Sequence, residues 1–123
     1  MASDLLSTIE QAKKTQRALI AATDHQSEVS DRDLVNLRKQ FLTDMLAISQ
    51  VSRGDTKLKS DPARYAEFSK RHNEAQDMLS RHQSKWMLRA IERDFAGYKK
   101  ATAELRRAQE DYFNWAINWV KGS

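Results

Sequence analysis

Two heptad seams dominate the second half of the chain. The first runs Tyr65, Phe68, His72, Ala75, Leu79, His82, Trp86, with steps alternating between three and four residues. It opens at Asp61-Pro62. Aspartate is a good N-cap, and proline loses no hydrogen bond at the first helical position. The second seam runs Ile91, Phe95, Tyr98, Thr102, Leu105, Gln109, Tyr112, Ala116, Trp119. The two do not join. Extending the first beyond Trp86 leads to Arg89 and Arg93, which are unsuited to a core. The spacing therefore predicts a turn or kink within Met87 to Asp94. Asp94 is placed to cap the next helix, and Gly97 weakens its first turn.

The first half predicts two further helices. One spans Asp4 to Ala22, capped by Ser3, with an apolar face of Leu5, Ile9, Ala12, Leu19, Ile20 and Ala22. Its middle, Lys13 to Arg17, is polar, so this helix is expected to pack less tightly than the others. Thr23 to Val29 reads as a connection containing His25. The next helix starts with a Ser30/Asp33 capping pair, with Val29 stapled against Leu34. Its stripe is Leu34, Leu37, Phe41, Met45, Ile48, widened by Leu42, Leu46 and Val51. Gly54 ends it, and residues 55–60 form a polar loop.

Length decides how these pieces combine. One unbroken helix over 62–120 would be roughly 90 Å long, far more than the first two helices could cover. Broken near residue 90, the chain forms an all-α, antiparallel up-down four-helix bundle in a single domain, residues 1–123. The alternative is a long helical hairpin completed by dimerisation.

Composition agrees with a helical protein and narrows its chemistry. Of 123 residues, three are glycine, one is proline and 31% are charged. There is no cysteine, so disulfides and thiolate metal sites are excluded. The net charge is +4 and both signs are spread along the chain. The local candidates for a basic patch, Lys99-Lys100 and Arg106-Arg107, sit among Glu104, Glu110 and Asp111. No nucleic-acid partner is expected from that mixture. No apolar run approaches the length of a bilayer span, and residues 1–4 do not resemble the start of a signal peptide, so a cytoplasmic protein without membrane insertion is expected.

Catalytic motifs are lacking. No Gly-x-Ser-x-Gly occurs, and Gly54, Gly97 and Gly122 are too isolated to form a phosphate cradle. The polar residues that stand out are His72 and His82, both on the first seam. Ten residues separate them, about 15 Å along a helix, too far for one metal ion to bridge. Three roles are open to them: hydrogen-bonded seam residues, metal or pH-responsive groups with carboxylates such as Asp44 or Glu104, or phosphotransfer histidines.

Trp86 closing one helix, Phe95 after a short connection, Leu105-Arg106 with Glu110-Asp111-Tyr112, and Leu37-Arg38 to Leu42 together resemble a divergent hemerythrin-like bundle of the HHE type. The resemblance implies a four-helix bundle around a carboxylate-bridged di-iron centre. The family's ligand motif, His-x-x-x-Glu on the second helix, is replaced here by Ile48-Ser49-Gln50-Val51-Ser52-Arg53, and the last helix has no histidine. No metal ligand carries over, and no cofactor is expected. His72 and His82 remain the candidates for a rebuilt metal- or oxygen-responsive site.

The end of the chain is more apolar than one bundle face requires. Beside the seam residues Tyr112, Ala116 and Trp119 run Phe113, Ile117 and Val120, with Trp115 on the border. Either this helix packs against two neighbours, or the extra stripe meets a partner. The functional expectation is a non-catalytic protein-interaction or regulatory module. Its contact surface would be Phe113, Trp115, Ile117, Trp119 and Val120, and its partner another protein or a second copy of itself.

Overall fold

The computed structural model describes residues 4–24 and 31–122. These residues form helices only: α1 (Asp4–Asp24), α2 (Asp31–Gly54), α3 (Thr56–Lys59), α4 (Pro62–Lys85), α5 (Leu88–Arg93) and α6 (Phe95–Lys121). The protein is all-α. The expected Ser3 cap, the Ser30 cap, the Val29 staple and the connection through His25 lie outside the described residues.

The ends of the helices follow from local chemistry. Asp61 Oδ1 accepts the amides of Ala63 and Arg64 at 3.1 and 3.3 Å, with Pro62 opening α4. This satisfies two amides that have no partner inside the helix. Asp94 Oδ1 accepts from Gly97 N at 2.9 Å and starts α6 in the same way. The expected break between the seams is present, and it contains a short helix of its own, α5.

What stops α4 comes from another helix. Arg38 of α2 donates to the carbonyls of Trp86 at 2.7 Å and Gln83 at 2.9 Å. A guanidinium on the last carbonyls of a helix both fills their hydrogen-bonding capacity and meets the negative end of the helix dipole. Gln83 Nε2 donates back to the Arg38 carbonyl at 3.4 Å.

Residues 55–60 correct an expectation. They are not a plain polar loop, because Asp55 caps the one-turn helix α3 through Leu58 N at 2.8 Å. Leu58 is the only large apolar side chain in that stretch, and it turns into the main core. Burying one such side chain is worth about 1.5–3 kcal/mol, enough to order a short turn.

α1 packs on α2 and α6, and α4 packs on α6 and α2. Residue numbers run in opposite directions across both contacts with α6. Lys13 meets Asn114, Gln16 meets Gln109 and Thr23 meets Tyr98. Arg64 meets Trp119, His72 meets Tyr112 and His82 meets Thr102. The large core gathers Ile9, Phe41, Met45, Phe68, Leu79 and Phe113. A smaller one gathers Leu34, Trp86, Ile91 and Tyr98 near the break.

Three further expectations are overturned by the packing. The polar middle of α1 is not loosely packed: Thr15 and Gln16 are buried, the first donating to Asp44 and the second to Gln109. Leu42 and Leu46 do not widen the core stripe of α2, and both are exposed. Phe95, a seam position, is also exposed, because α6 has only just begun there and the ring leans on Tyr98 instead.

Candidate functional site

The histidines sit in two different settings on α4. His72 is 2% exposed. Its Nδ1 lies 2.7 Å from the hydroxyl of Tyr112, and its ring stacks on Phe68. Burial pushes the imidazole down to about 4 and pushes the Tyr112 phenol up. Both groups are therefore neutral at pH 7. His72 cannot present a nitrogen to a phosphoryl donor in solution, because the packed side chains cover it.

His82 is only partly buried. Its Nε2 is 3.4 Å from Thr102 Oγ1 and its ring stacks on Tyr98. Burial, and then the charge of Arg38, push it down to about 4 as well. An imidazole this weakly basic is far from the range that suits a general base at neutral pH. His82 borders a cavity of about 40 Å³ together with Gln16, Thr23, Tyr98 and Gln109. That is room for roughly one to three waters. Gln109 Nε2 is buried, without a protein acceptor among the described residues, and is the donor such a water would take.

The structure does not bring the two histidines together, nor does it bring carboxylates to them. Asp44 is spent on Thr15 and on Gln40 Nε2, the latter at 2.7 Å. Glu104 is exposed. Among the described residues, no three His, Cys, Asp or Glu side chains lie close enough to share a metal ion. No helix of these residues is long and apolar enough to cross a membrane.

The aromatic end of α6 is used inside the molecule. Phe113 is fully buried and packs against Phe41, so it cannot serve as a contact residue; this corrects its assignment to a partner surface. Trp115, Ile117, Trp119 and Val120 are partly buried against the same core. Trp115 and Trp119 pack 4.8 Å apart, centroid to centroid. The Arg71 and Arg64 guanidinium groups lie 4.5 and 4.7 Å above those rings. Arg64 also donates to the Trp119 carbonyl at 2.9 Å. α6 packs against α1 and α4, and Phe113 reaches Phe41 of α2 as well.

The apolar surface left over lies elsewhere. Met87 in the break is 66% exposed, Leu46 is 47% exposed and Leu42 is 36% exposed. Val35, Leu42, Met87 and Leu88 line an open groove of about 510 Å³ between α2 and the α4–α5 break. Arg38, Lys39, Gln83 and Arg89 complete its walls. A sequence signal for this groove exists. Val35, Leu42 and Leu46 form a second stripe on α2 at steps of seven and four, and Met87 is an apolar residue that neither seam uses.

No family model, curated protein or solved structure matches the chain.

Proposed function

We propose that the four long helices form an antiparallel bundle serving as a non-catalytic protein-interaction module, and that its contact surface is the groove between α2 and the α4–α5 break. The occupant is a helical segment of another protein. One observation carries this reading. Met87, the most exposed large apolar side chain among the described residues, and the exposed Leu42 line one open groove together with Val35 and Leu88. Contiguous apolar surface rimmed by polar residues is what interaction sites look like. A groove between packed helices suits an amphipathic helix laid into it. Support for a non-catalytic role comes from the titratable interior. His72, His82 and Tyr112 are held in their neutral forms by burial and serve packing contacts.

The test is a pull-down from lysate of the source cells with three baits: wild type, Leu42→Ser/Met87→Ser and Ile117→Ser. A partner retained by wild type and by Ile117→Ser, and lost by the groove variant, is the expected result. Retention of every partner by a folded groove variant would sink the reading. Sedimentation of the same proteins covers the remaining occupant: a dimer that dissociates only in the groove variant would replace the foreign helix with a second copy.

A further inference from the structure

We propose that the groove selects for an acidic helix, one that carries apolar residues along one face and carboxylates along its flanks. This rests on the reading that the groove is a contact surface, and it adds the chemistry of the partner.

Charge complementarity carries the argument. Among the described residues, every ionisable group in the groove lining is a cation: Arg38, Lys39 and Arg89. No carboxylate among the described residues lines it, in a chain whose acidic and basic residues are otherwise intermixed. The contrast with the α4–α6 side is direct. There the hollow beside the exposed Met78 is lined by Glu74 and Asp111 as well as Arg71. Single-sign charge around an apolar floor therefore separates this groove from that hollow. The guanidinium of Arg38 is fixed in place by the carbonyls of Trp86 and Gln83, so it cannot swing out to solvent. Lys39 and Arg89 are exposed, one on the α2 wall and one on α5. A partner bringing lysines would face three like charges, which costs affinity. A partner bringing glutamates would be steered in and held in register.

The dimensions fix the length of the partner segment. Val35 and Leu42 are seven residues apart, about 10 Å along α2, and Leu46, outside the groove lining, is exposed one turn further on. A helix of about three turns with apolar residues at i, i+3 or i+4, and i+7 matches that span. The floor is aliphatic and thioether, without the exposed aromatic platform that a single-stranded nucleic acid would stack on.

The experiment uses two fluorescein-labelled, lactam-bridged peptides of three turns. Both carry leucine at i, i+4 and i+7; one has glutamate on its flanks and the other lysine. The bridge removes the cost of ordering a short free helix. Fluorescence anisotropy against the full chain should show saturable, salt-weakened binding of the glutamate peptide. The lysine peptide should bind at least about tenfold more weakly, from two or more rim charge contacts changing sign. Lys39→Glu/Arg89→Glu alters two exposed side chains, and its melting curve should match wild type. In this variant the preference should reverse toward the lysine peptide. Leu42→Ser should weaken both peptides.

No saturable binding of the glutamate peptide, or a preference that does not reverse in the charge variant, overturns the proposal. Vesicles of equimolar phosphatidylcholine and phosphatidylserine form a control arm. Cosedimentation that is lost in the charge variant, with no peptide binding, would assign the groove to an anionic lipid surface instead. The two readings fail separately. If a natural partner is lost on Leu42→Ser/Met87→Ser while the peptides show no charge preference, the groove is a contact surface of different chemistry. If no partner depends on the groove, the interaction reading itself falls.

Discussion

His72 and His82 occupy the same seam of α4, and their surroundings separate the molecule into two regions. Around His72 the packing is aromatic and closed: Phe68 stacks on it, Tyr112 bonds to it, and Tyr112 in turn packs on Phe113, which meets Phe41. Around His82 the packing is polar and perforated. A small cavity lies beside it, Arg38 spans to the end of α4, and the chain breaks four residues later. The comparison shows that a seam position sets burial only in outline. What the opposite helix brings to it decides whether the same side chain is sealed or left at the edge of a hole. The broken region also leaves Met87 and Leu42 exposed along the groove.

The largest expected effect lies in the closed region. Phe113→Ala removes a fully buried ring from the contact with Phe41 and should cost about 3–5 kcal/mol. Ile117→Ala, partly buried on the same helix, should cost clearly less. Urea denaturation of both variants measures the difference. A Phe113→Ala loss no larger than that of Ile117→Ala would mean that the aromatic core is not the tighter region.

The next effect is a pH dependence, and its sign follows from the two histidines. Burial places both folded-state values at about 4, below the ordinary value of 6.5. The unfolded chain therefore takes up protons first as pH falls, so stability is complete above about 6.5 and is lost between about 6.5 and 4. His72 should contribute on the order of 3 kcal/mol to that loss. His82 should contribute less, because solvent reaches part of its ring. Melting temperature followed from pH 7 to 4 should drop steeply in wild type and much less in His72→Phe. An unchanged pH profile in that variant would show that His72 is not the sealed group.

Much of this architecture was legible in the pattern of residues. Two seams out of phase located the break, and Asp61, Pro62 and Asp94 marked helix starts through chemistry that depends only on neighbours in sequence. What was not legible depends on residues far apart in the chain. Leu5, Ile9, Ala12, Gln16, Leu19 and Thr23 form an unbroken heptad seam. Gln16 and Thr23 escape a search for apolar residues, and their burial is possible only because Gln109 and Tyr98 stand opposite. Leu42 and Leu46 show the converse. A stripe on a helix gives its width, whereas the point at which neighbouring helices cease to cover it is a tertiary fact. For the C-terminal stripe the sequence left two readings open, a second neighbour or a partner, and the burial of Phe113 against Phe41 is likewise a tertiary fact. Arg38 carried no local signal of its role, since its carbonyl partners lie more than forty residues away.

Arg38 is also the next way to test the contrast between regions. Arg38→Met keeps most of the aliphatic stem and removes the donors to Trp86 and Gln83. Charge-assisted hydrogen bonds contribute about 1.5–3 kcal/mol, so a loss of about 2 kcal/mol is expected. The loss should be local as well as global. Amide exchange should quicken at the end of α4 and through α5, while α1 and the Phe68 to Ala75 turns stay protected. Uniform acceleration along the whole of α4 would argue that the break is not a separately held region.

The smallest effect concerns the restart after the break, where two opposing terms nearly cancel. Asp94→Ala removes the acceptor for Gly97 N and should cost about 1 kcal/mol. Gly97→Ala should gain up to about 1 kcal/mol from helix propensity. A Cβ at residue 97 would, however, run into the Asp94 carboxylate and push it off the amide. In the wild-type background the two terms offset, and Gly97→Ala should stay within about 0.5 kcal/mol of neutral. With Asp94→Ala already made, no cap remains to be lost, and the same Gly97→Ala change should stabilise. A double-mutant cycle by urea denaturation reads this coupling directly. Equal effects of Gly97→Ala in both backgrounds would mean that the glycine does not make room for the cap, and that α6 begins without help from it.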